Sequence, residues 1–386
     1  IEADGDDIGL CAKNADVTER ALNYGKEGNL IERFKANADM QAGKEKDFSI
    51  SLTSDTATVE AFLNENKSDL VTEAVDNTVK RVDGKFEYVE GSEGVTLMTG
   101  KSAVKIADFI STDWDGKDAS IELLTEKDEP RGTKEELESI QDILGSYHTD
   151  FGTVVNGRTN NIKTGASKLD GLVVYPGETI SVSEAIGPTT AENGYYPAGS
   201  YENGTTVETY GGGICQVSTT LYNAVIRAEL KIVERFPHSM TVHYVPRSAD
   251  AAIAGTHKDM KFKNTFDTPI YIEGKANGST ITFTVYGKKK DPKRTVEFLS
   301  ETTQVKESSE STVSDNTLAE GQKVLESYGH TGYSARLWKI VKINGKQVSK
   351  KVFNTSTYMS TPTVYRVGTK KAEDKKDDKK DKKKDS

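Results

Sequence analysis

The stretch of this chain best suited to chemistry is Gly211-Gly212-Gly213-Ile214-Cys215-Gln216. Glycines permit positive φ and close backbone approach, and the apolar residues after them recur at helical spacing. That spacing predicts a helix whose first turn holds Cys215. Unpaired N–H groups and the helix dipole favour an anion there, so we expect a lowered pKa for the thiol and a reactive thiolate. The helical face is formed by Val217, Leu221, Ala224, Val225 and Ala228.

A thiol nucleophile also needs a base within reach and a group that orients the base. The candidate bases are His238, His243 and His257, and the candidate orienting carboxylates are Asp250 and Asp259. His238 stands at the entrance to a predicted strand over 241–245, from which its side chain can point back toward the helix. We therefore select Cys215, His238 and Asp250 as the candidate catalytic residues. The Gln216 side chain or the Cys215 backbone N–H would donate a hydrogen bond to an oxyanion.

A structural interpretation accounts for the same residues. A buried cysteine commonly behaves as a small apolar side chain, and a glycine triplet before a helix permits close packing without chemistry. Sequence order alone favours structure or binding, because it gives no distance between Cys215 and any histidine.

Composition limits the class of protein. The chain has 386 residues, which predicts two or three domains, and its net charge of −9 argues against nucleic acid as a partner. No apolar run approaches the roughly 18 residues needed to span a bilayer. The two cysteines, Cys11 and Cys215, make no disulfide framework and no zinc-binding spacing, so we expect neither metal nor cofactor. Because the chain begins at Ile1, we expect a removed signal peptide or membrane anchor.

Residues 1–145 alternate helical and strand patterns and predict an α+β domain. A helix is expected over 59–63, a hairpin with its turn at Asp83-Gly84, and a strand over 119–124. Thr133-Lys134-Glu135-Glu136 has the pattern of a capping box, ahead of a helix that Gly145 would end.

Residues 146–290 predict a second α+β domain, with a helix over 160–170 and a hairpin turn at Asn277-Gly278. Residues 291–369 have almost no helical period and flank Asn344-Gly345 with short strands, which predicts an elongated all-β module. The Lys/Asp-rich tail at 370–386 is expected to be disordered. The fold class is therefore multidomain α+β followed by all-β. In the second domain we predict strands over Lys231–Glu234, Thr241–Val245, Pro269–Glu273 and Thr280–Tyr286.

The central segment resembles the VanW family, which is named for its occurrence in vancomycin-resistance clusters. The likeness spans about residues 148–288 and follows the family pattern in order. It rests on Arg158, Asn161-Ile162, Val174–Glu178, Gly187–Thr190, Gly194-Tyr195, Gly211–Gln216, Ser218-Thr219, Leu221–Ala224, His238-Ser239, Tyr244–Pro246, Asp250-Ala251 and Lys261–Asn264.

The flanking segments resemble cell-wall modules. Residues 14–128, through Tyr24–Asn29 and the order of elements, resemble the peptidoglycan-binding domain that often precedes VanW in Gram-positive surface proteins. Residues 295–369 resemble the five-glycine (G5) domain, which implies a β-rich fold and binding to polymers that contain N-acetylglucosamine. The latter likeness rests on Gly321, Gly329, Gly332, Gly345, Gly368 and Pro362.

These resemblances imply an extracellular protein at the cell wall or membrane surface of a Gram-positive bacterium. We expect it to bind peptidoglycan or another N-acetylglucosamine-containing wall polymer, in wall maintenance or glycopeptide response, and to contact a membrane only through an anchor absent from this chain. The alternative is a thiol-dependent acyl transferase or peptidase acting on wall peptides through Cys215. The order Cys, His, Asp resembles that of transglutaminase-like and papain-like enzymes.

Overall fold

The computed structural model describes residues 1–202 and 205–370. Contacts within these residues form two compact units. The first unit is Ile1–Asn77 with Glu90–Arg131, and the second is Thr78–Val89 with the described residues from Gly132 onward. The Lys/Asp tail predicted to be disordered lies outside the described residues, apart from Lys370. No helix in the described ranges is long and apolar enough to cross a bilayer.

Helices and strands alternate through the first 150 residues. In chain order these elements are β1 (Leu10–Ala12), α1 (Val17–Leu22), α2 (Leu30–Gln41), β2 (Leu52–Ser54), α3 (Thr56–Glu65), a short 3-10 helix (Lys67–Asp69), β3 (Thr78–Val82), β4 (Lys85–Val89), β5 (Gly94–Leu97), α4 (Thr99–Thr112), β6 (Thr125–Asp128), α5 (Lys134–Glu138) and β7 (Asp142–Asp150).

The middle of the chain remains mixed, and its last part is entirely β. The mixed part has α6 (Gly157–Leu169), β8 (Leu172–Val174), β9 (Thr179–Ser181), α7 (Val182–Ile186), β10 (Pro197–Glu202), β11 (Thr205–Tyr210), α8 (Ile214–Arg227), β12 (Lys231–Glu234), β13 (Lys261–Lys263), β14 (Ile270–Asn277) and β15 (Thr280–Gly287). The β part has β16 (Arg294–Lys306), β17 (Glu310–Ala319), β18 (Lys323–Ser327), β19 (Gly332–Ile343), β20 (Lys346–Tyr358) and β21 (Thr363–Lys370). The predicted fold class, α+β domains followed by all-β structure, is confirmed.

The first unit has a small core in which α3 and α4 pack together around Val59, Leu63 and Ala103. The helix expected over 59–63 is present as part of α3. The prediction of a strand over 119–124 is wrong, because the strand in this region is β6, which begins at Thr125. Side chains of α4 bind the backbone before β6 instead, with Ser102 Oγ accepting from the Leu124 N–H and Lys105 donating to the Glu122 carbonyl.

The central feature of the second unit is an antiparallel sheet in the order β7-β15-β14-β8, against which α6 and α8 pack. The capping box at Thr133 and Glu136 is confirmed, but the helix it starts ends at Glu138 rather than at Gly145. Gly145 lies in β7, and a Cβ there would stand 2.4 Å from the Ala224 carbonyl oxygen of α8. The glycine is needed for close strand–helix packing and does not end a helix.

Two predicted hairpins are present in the second unit. Asp83 and Gly84 have φ of 49° and 81° between β3 and β4, and Asn277-Gly278 lies between β14 and β15. The β3–β4 hairpin shares a small core with Tyr271 and Tyr286 of the main sheet.

The strand predicted over 241–245 is absent, because residues 235–260 form an irregular connection between β12 and β13. The backbone groups of this connection bind side chains and distant segments rather than a strand ladder. His238 N–H donates to the Asp250 carboxylate at 2.7 Å, and the Ser239 carbonyl accepts from Met359 N–H at 2.7 Å. Irregular backbone held in this way brings His238 toward α8.

The all-β part contains the sheets β16-β19-β20 and β17-β21-β18. Strands β19 and β20 meet at Asn344-Gly345, where φ is 52° and 75°, as the hairpin signal predicted. Leu337 of β19 belongs to the same buried core as α6 and α8, and Phe298 and Phe353 pack against that core.

Candidate functional site

Cys215 lies in the first turn of α8, as the sequence predicts. The helix begins after Gly213, whose φ of 108° is poorly accessible to residues with a side chain. A Cβ at position 213 would also lie 3.0 Å from Cγ of Arg158 and 3.1 Å from Cγ1 of Ile162. The glycine run therefore sets the abrupt entry of the chain into α8 and places Cys215 where helix N–H groups have no intrahelical acceptor.

The structure brings the three residues selected from the sequence together. His238 Nδ1 lies 2.8 Å from Asp250 Oδ2, and the same oxygen accepts the His238 backbone N–H at 2.7 Å. The imidazole also interacts with the Cys215 thiol, and this interaction raises the pKa of His238 and lowers that of Cys215. Since Nδ1 is occupied by Asp250, Nε2 is the ring nitrogen left to exchange a proton with the sulfur.

Asp250 is held as a carboxylate although it is 1% exposed. Burial raises its pKa, but hydrogen bonding to His238 and the charge of Arg235 leave the pKa below its ordinary value. Its second oxygen, Oδ1, accepts from Arg235 at 3.0 Å and from the Tyr358 hydroxyl at 2.6 Å. Every partner of this carboxylate is therefore a donor, as expected for an ionised orienting group.

The electrostatics favour a thiolate–imidazolium pair. Burial acts to lower the pKa of His238, but hydrogen bonds with Asp250 and Cys215 raise the pKa to about 9. Burial likewise raises the pKa of the Cys215 thiol, yet the hydrogen bond and charge of His238 bring that pKa below its ordinary value. In the neutral state Sγ lies 3.3 Å from the Ile253 carbonyl oxygen and donates to it. That bond is given up when the proton moves to Nε2.

The thiol faces a cavity of about 950 Å³. Its wall carries charges of both signs and several apolar side chains. The lining includes Arg158, Glu184, Cys215, His238, Met240, Val242, Tyr244, Lys258, Asp259 and Lys261.

The other candidates from the sequence have different positions. His243 and His257 are exposed, whereas His238 is half-buried and interacts with the thiol. Asp259 accepts from the Ser181 hydroxyl at 2.6 Å and from the Ser183 N–H at 3.0 Å, so it secures the start of α7. Of the alternatives weighed, the structure places His238 and Asp250 at Cys215.

Gln216 has no hydrogen-bonding capacity left to serve an oxyanion. Its Oε1 accepts from Arg158 at 2.6 Å, and its Nε2 donates to Thr149 Oγ1 at 2.9 Å and to the Asp150 carbonyl at 2.8 Å. The side chain fastens α8 to β7 and to Arg158. The backbone N–H of Cys215 is therefore the remaining donor of the two that the sequence suggested.

Two residues at the site were missed by sequence reasoning. Arg235 and Tyr358 both donate to Asp250, and Tyr358 is separated from it by 108 residues along the chain. Arg235 lies at the end of a strand pattern and carries no motif, and Tyr358 closes a strand in another module. Neither position has a local signal that could have identified it.

Family models match three segments of the chain. Residues 157–286 match the model described as "VanW like protein" and include Cys215, His238 and Asp250. This segment is therefore similar to the VanW family. The flanking matches are "Putative peptidoglycan binding domain" at residues 2–118 and "G5 domain" at residues 300–370. The three resemblances, in their predicted order, are confirmed.

Similar curated proteins include "Uncharacterized protein YoaR" of Bacillus subtilis, 41% identical over 143 residues, which are 37% of this chain and 47% of YoaR. "Vancomycin B-type resistance protein VanW" of Enterococcus faecalis is 28% identical over 135 residues, which are 33% of this chain and 49% of that protein. The chain spans about half the length of these curated relatives.

Solved structures similar to part of the chain include "IgA1 Protease G5 domain structure", at 26% identity and a TM-score of 0.17, covering 20% of this chain and 94% of that one. "Crystal structure of HP0197-G5" has 17% identity and a TM-score of 0.14, covering 19% of this chain and 95% of that one.

The three matched modules together support a cell-wall-associated protein with an extracellular or surface location. The curated relatives come from Gram-positive bacteria, and one is a vancomycin resistance protein.

Proposed function

We propose that this protein is a thiol enzyme of the Gram-positive cell surface, and that its VanW-like domain carries out acyl transfer on the peptide part of peptidoglycan. The observation that carries the proposal is the hydrogen bond between His238 and Asp250, with His238 coupled to the Cys215 thiol on the wall of the same cavity. Nucleophile, base and orienting carboxylate in this arrangement are the elements of thiol acyl transfer. Sequence order alone favours structure or binding, whereas the geometry of these three residues supports the enzyme alternative.

The reaction follows from the positions of the groups. The Cys215 thiolate attacks the carbonyl carbon of a wall-peptide amide and forms a C–S bond. The C–N bond then breaks, and His238 gives its Nε2 proton to the leaving amine, which yields a thioester. A second amine, or water, attacks the thioester, loses a proton to His238, and releases Cys215 as the C–S bond breaks. The Cys215 N–H is the proposed donor to the developing oxyanion, because the neighbouring Ile214 and Gln216 N–H groups donate to the Gly211 and Gly213 carbonyls.

The lining of the cavity suits a peptide that carries both charges. Arg158 and Lys258 place positive groups on the cavity wall, and Glu184 and Asp259 place negative ones there. Peptidoglycan stem peptides present free carboxylates and amines, so both signs have a role in binding them. We propose stem or cross-bridge peptides as the substrate class.

The flanking modules are proposed to hold the enzyme on its insoluble substrate. The peptidoglycan-binding and G5 matches support binding of wall glycan or peptide, in wall maintenance or glycopeptide response. We retain the domain boundaries 1–145, 146–290 and 291–369 as part of this proposal. Wall binding without chemistry is the second candidate function, and the same two matches favour it.

One experiment separates the two candidates. The full chain is incubated with purified sacculi, and the soluble products are analysed by mass spectrometry for newly freed amines or new cross-links. A Cys215→Ala variant is expected to lose those products while it still pellets with sacculi. An unchanged product profile in Cys215→Ala would exclude thiol chemistry. Pelleting of the wild type without any product would leave binding as the function and overturn the enzyme proposal.

A further inference from the structure

Tyr358, at the end of β20, belongs to the G5-matched segment but is buried against the VanW-like domain with 3% exposure. Its hydroxyl donates to Asp250 Oδ1 at 2.6 Å and accepts the Ser248 backbone N–H at 2.6 Å. Burial and the neighbouring Asp250 charge raise the pKa of this phenol well above its ordinary value. Tyr358 therefore remains a protonated donor to the carboxylate.

The contact belongs to one face of a strand. Residues two apart on a strand point the same way, and Asn354, Ser356 and Tyr358 all reach into the VanW-like domain. Asn354 Oδ1 accepts from the Ser248 hydroxyl at 2.6 Å, and Ser356 Oγ accepts from Arg235 at 2.9 Å. Directly after the strand, Met359 N–H binds the carbonyl of Ser239, the residue that follows His238.

We propose that Tyr358 is a positioning residue for the thiol site, so that the G5 module completes this site besides any binding of wall polymer. The proposal rests on the function proposed above for Cys215. Asp250 Oδ2 receives both the backbone N–H and Nδ1 of His238, while Oδ1 receives Tyr358 and Arg235. A carboxylate fixed at both oxygens cannot rotate, and the imidazole that it orients keeps Nε2 toward Cys215.

Other charged or titratable groups surround these residues and set the background for any measurement. The charge of Arg235 lowers the pKa of Asp250, and the charge of Lys258 lowers that of Cys215. The charge of Asp250 raises the pKa of both Tyr222 and Tyr244, and Cys215 also raises that of Tyr244. None of these groups is changed in the variant that tests Tyr358, and Tyr222 provides its control.

The test compares two buried phenols at the same contact between β20 and the VanW-like domain. Tyr358→Phe removes the donor to Asp250, whereas Tyr222→Phe removes a hydroxyl that accepts from Asn354 and leaves Asp250 Oδ1 with its donors. Both are made in the full chain with Cys11→Ser, because Cys11 is an exposed free thiol. The rate of Cys215 alkylation by iodoacetamide is measured against pH.

Tyr358→Phe is expected to slow alkylation near neutral pH about tenfold and to move the midpoint of the profile upward by about one unit, because a misaligned His238 no longer stabilises the thiolate. Tyr222→Phe should keep the wild-type profile. In an Asp250→Asn background, Tyr358→Phe should cause no further shift, since the tyrosine acts through that carboxylate. Equal profiles for the two Tyr→Phe variants would overturn the proposal.

If Tyr358→Phe does not fold, the wild-type protein still provides the test. The Tyr358 hydroxyl proton, observed by NMR, should change its chemical shift with the same midpoint as Cys215 alkylation. A chemical shift of the Tyr358 proton that does not change with the midpoint of Cys215 alkylation would overturn the coupling between the two residues. A wild type that yields no wall-peptide product, but whose alkylation profile responds to Tyr358, would overturn the proposed reaction and retain the positioning. Product formation together with an alkylation profile that does not respond to Tyr358→Phe would support the proposed reaction and overturn the positioning role.

Discussion

At the scale of single residues, the orientation of His238 is determined by one carboxylate oxygen. Asp250 Oδ2 accepts both the ring Nδ1 and the backbone N–H of the same histidine. A histidine bound twice in this way has its tautomer and its ring plane fixed together. The nitrogen available for proton transfer is therefore Nε2, on the side of Cys215.

The pKa directions predict the pH profile of turnover. Since His238 must carry a proton for the leaving amine, activity should fall above its pKa of about 9. Asp250→Asn removes an interaction that raises this pKa, so the upper limb of the profile should move to lower pH. The measurement is kcat/KM for wall-peptide acyl transfer from pH 5 to 10.

Asp259→Asn is the matched control for this profile, because Asp259 lines the same cavity but bonds to Ser181 and Ser183. It should leave the upper limb in place. An upper limb that does not respond to Asp250→Asn would contradict the assignment of that limb to His238.

At the scale of elements, the beginning of α8 depends on a backbone conformation as well as on helical periodicity. Gly213 combines a φ of 108° with neighbours that a Cβ would approach to 3.0–3.2 Å. The helix that carries Cys215 therefore starts at a position where both conformation and packing require glycine.

Gly213→Ala is expected to lower the free energy of unfolding by about 1–3 kcal/mol, because strain and crowding act together. It should also slow Cys215 alkylation, since the first turn of α8 would shift. The control is Gly278→Ala, at a φ of 58° with no atom within 4 Å of its Cβ. Thermal unfolding of both variants should show the larger loss of stability for Gly213→Ala. Equal losses would mean that the crowding against Arg158 and Ile162 costs nothing.

The two strands that were predicted but are absent, over 119–124 and 241–245, have a common explanation. In the first segment the Leu124 N–H binds the Ser102 side chain, and just before the second segment the Ser239 carbonyl accepts from Met359, which follows β20. Apolar and β-branched residues predict extended chain, but pairing needs a neighbouring strand that local sequence does not specify.

At the scale of the molecule, the VanW-like domain and the all-β part are joined by ionic as well as apolar contacts. Glu229, two residues after the end of α8, binds Arg294 of β16 at 2.6 and 2.8 Å and Lys339 of β19 at 2.6 Å. The hydrogen bond from Arg294 lowers the pKa of Glu229 from 4.5 to about 2. Lys339 contributes to this lowering, whereas burial opposes it.

This ion pair predicts an acid-sensitive contribution to stability. Because the pKa is lower in the folded state, the contribution is complete above pH 4.5 and is lost as pH falls toward about 2. Glu229→Gln should therefore lower Tm at pH 7 and reduce the difference in Tm between pH 7 and pH 3. Glu297→Gln, which removes a more exposed partner of Lys342, is the control and should change Tm little. A Glu229→Gln variant with the wild-type pH dependence would contradict the prediction.

The sequence by itself determined the features that arise within a few neighbouring residues. Periodicity and the glycine run located the helix that carries Cys215, and Asp-Gly and Asn-Gly pairs located the turns at 83–84, 277–278 and 344–345. Its motifs also identified three modules in order. Helical periodicity, capping and turn conformation are local, so a short stretch of sequence is sufficient to specify them.

Only the tertiary structure decided which residues meet. It placed His238 rather than His243 or His257 at the thiol, committed Gln216 to Arg158 and β7, and brought Tyr358 to Asp250 across 108 residues. The catalytic roles of Cys215, His238 and Asp250 remain predictions. Contacts between distant segments depend on how the elements pack, and the effect of burial and partners on pKa exists only after that packing. No local pattern encodes either one.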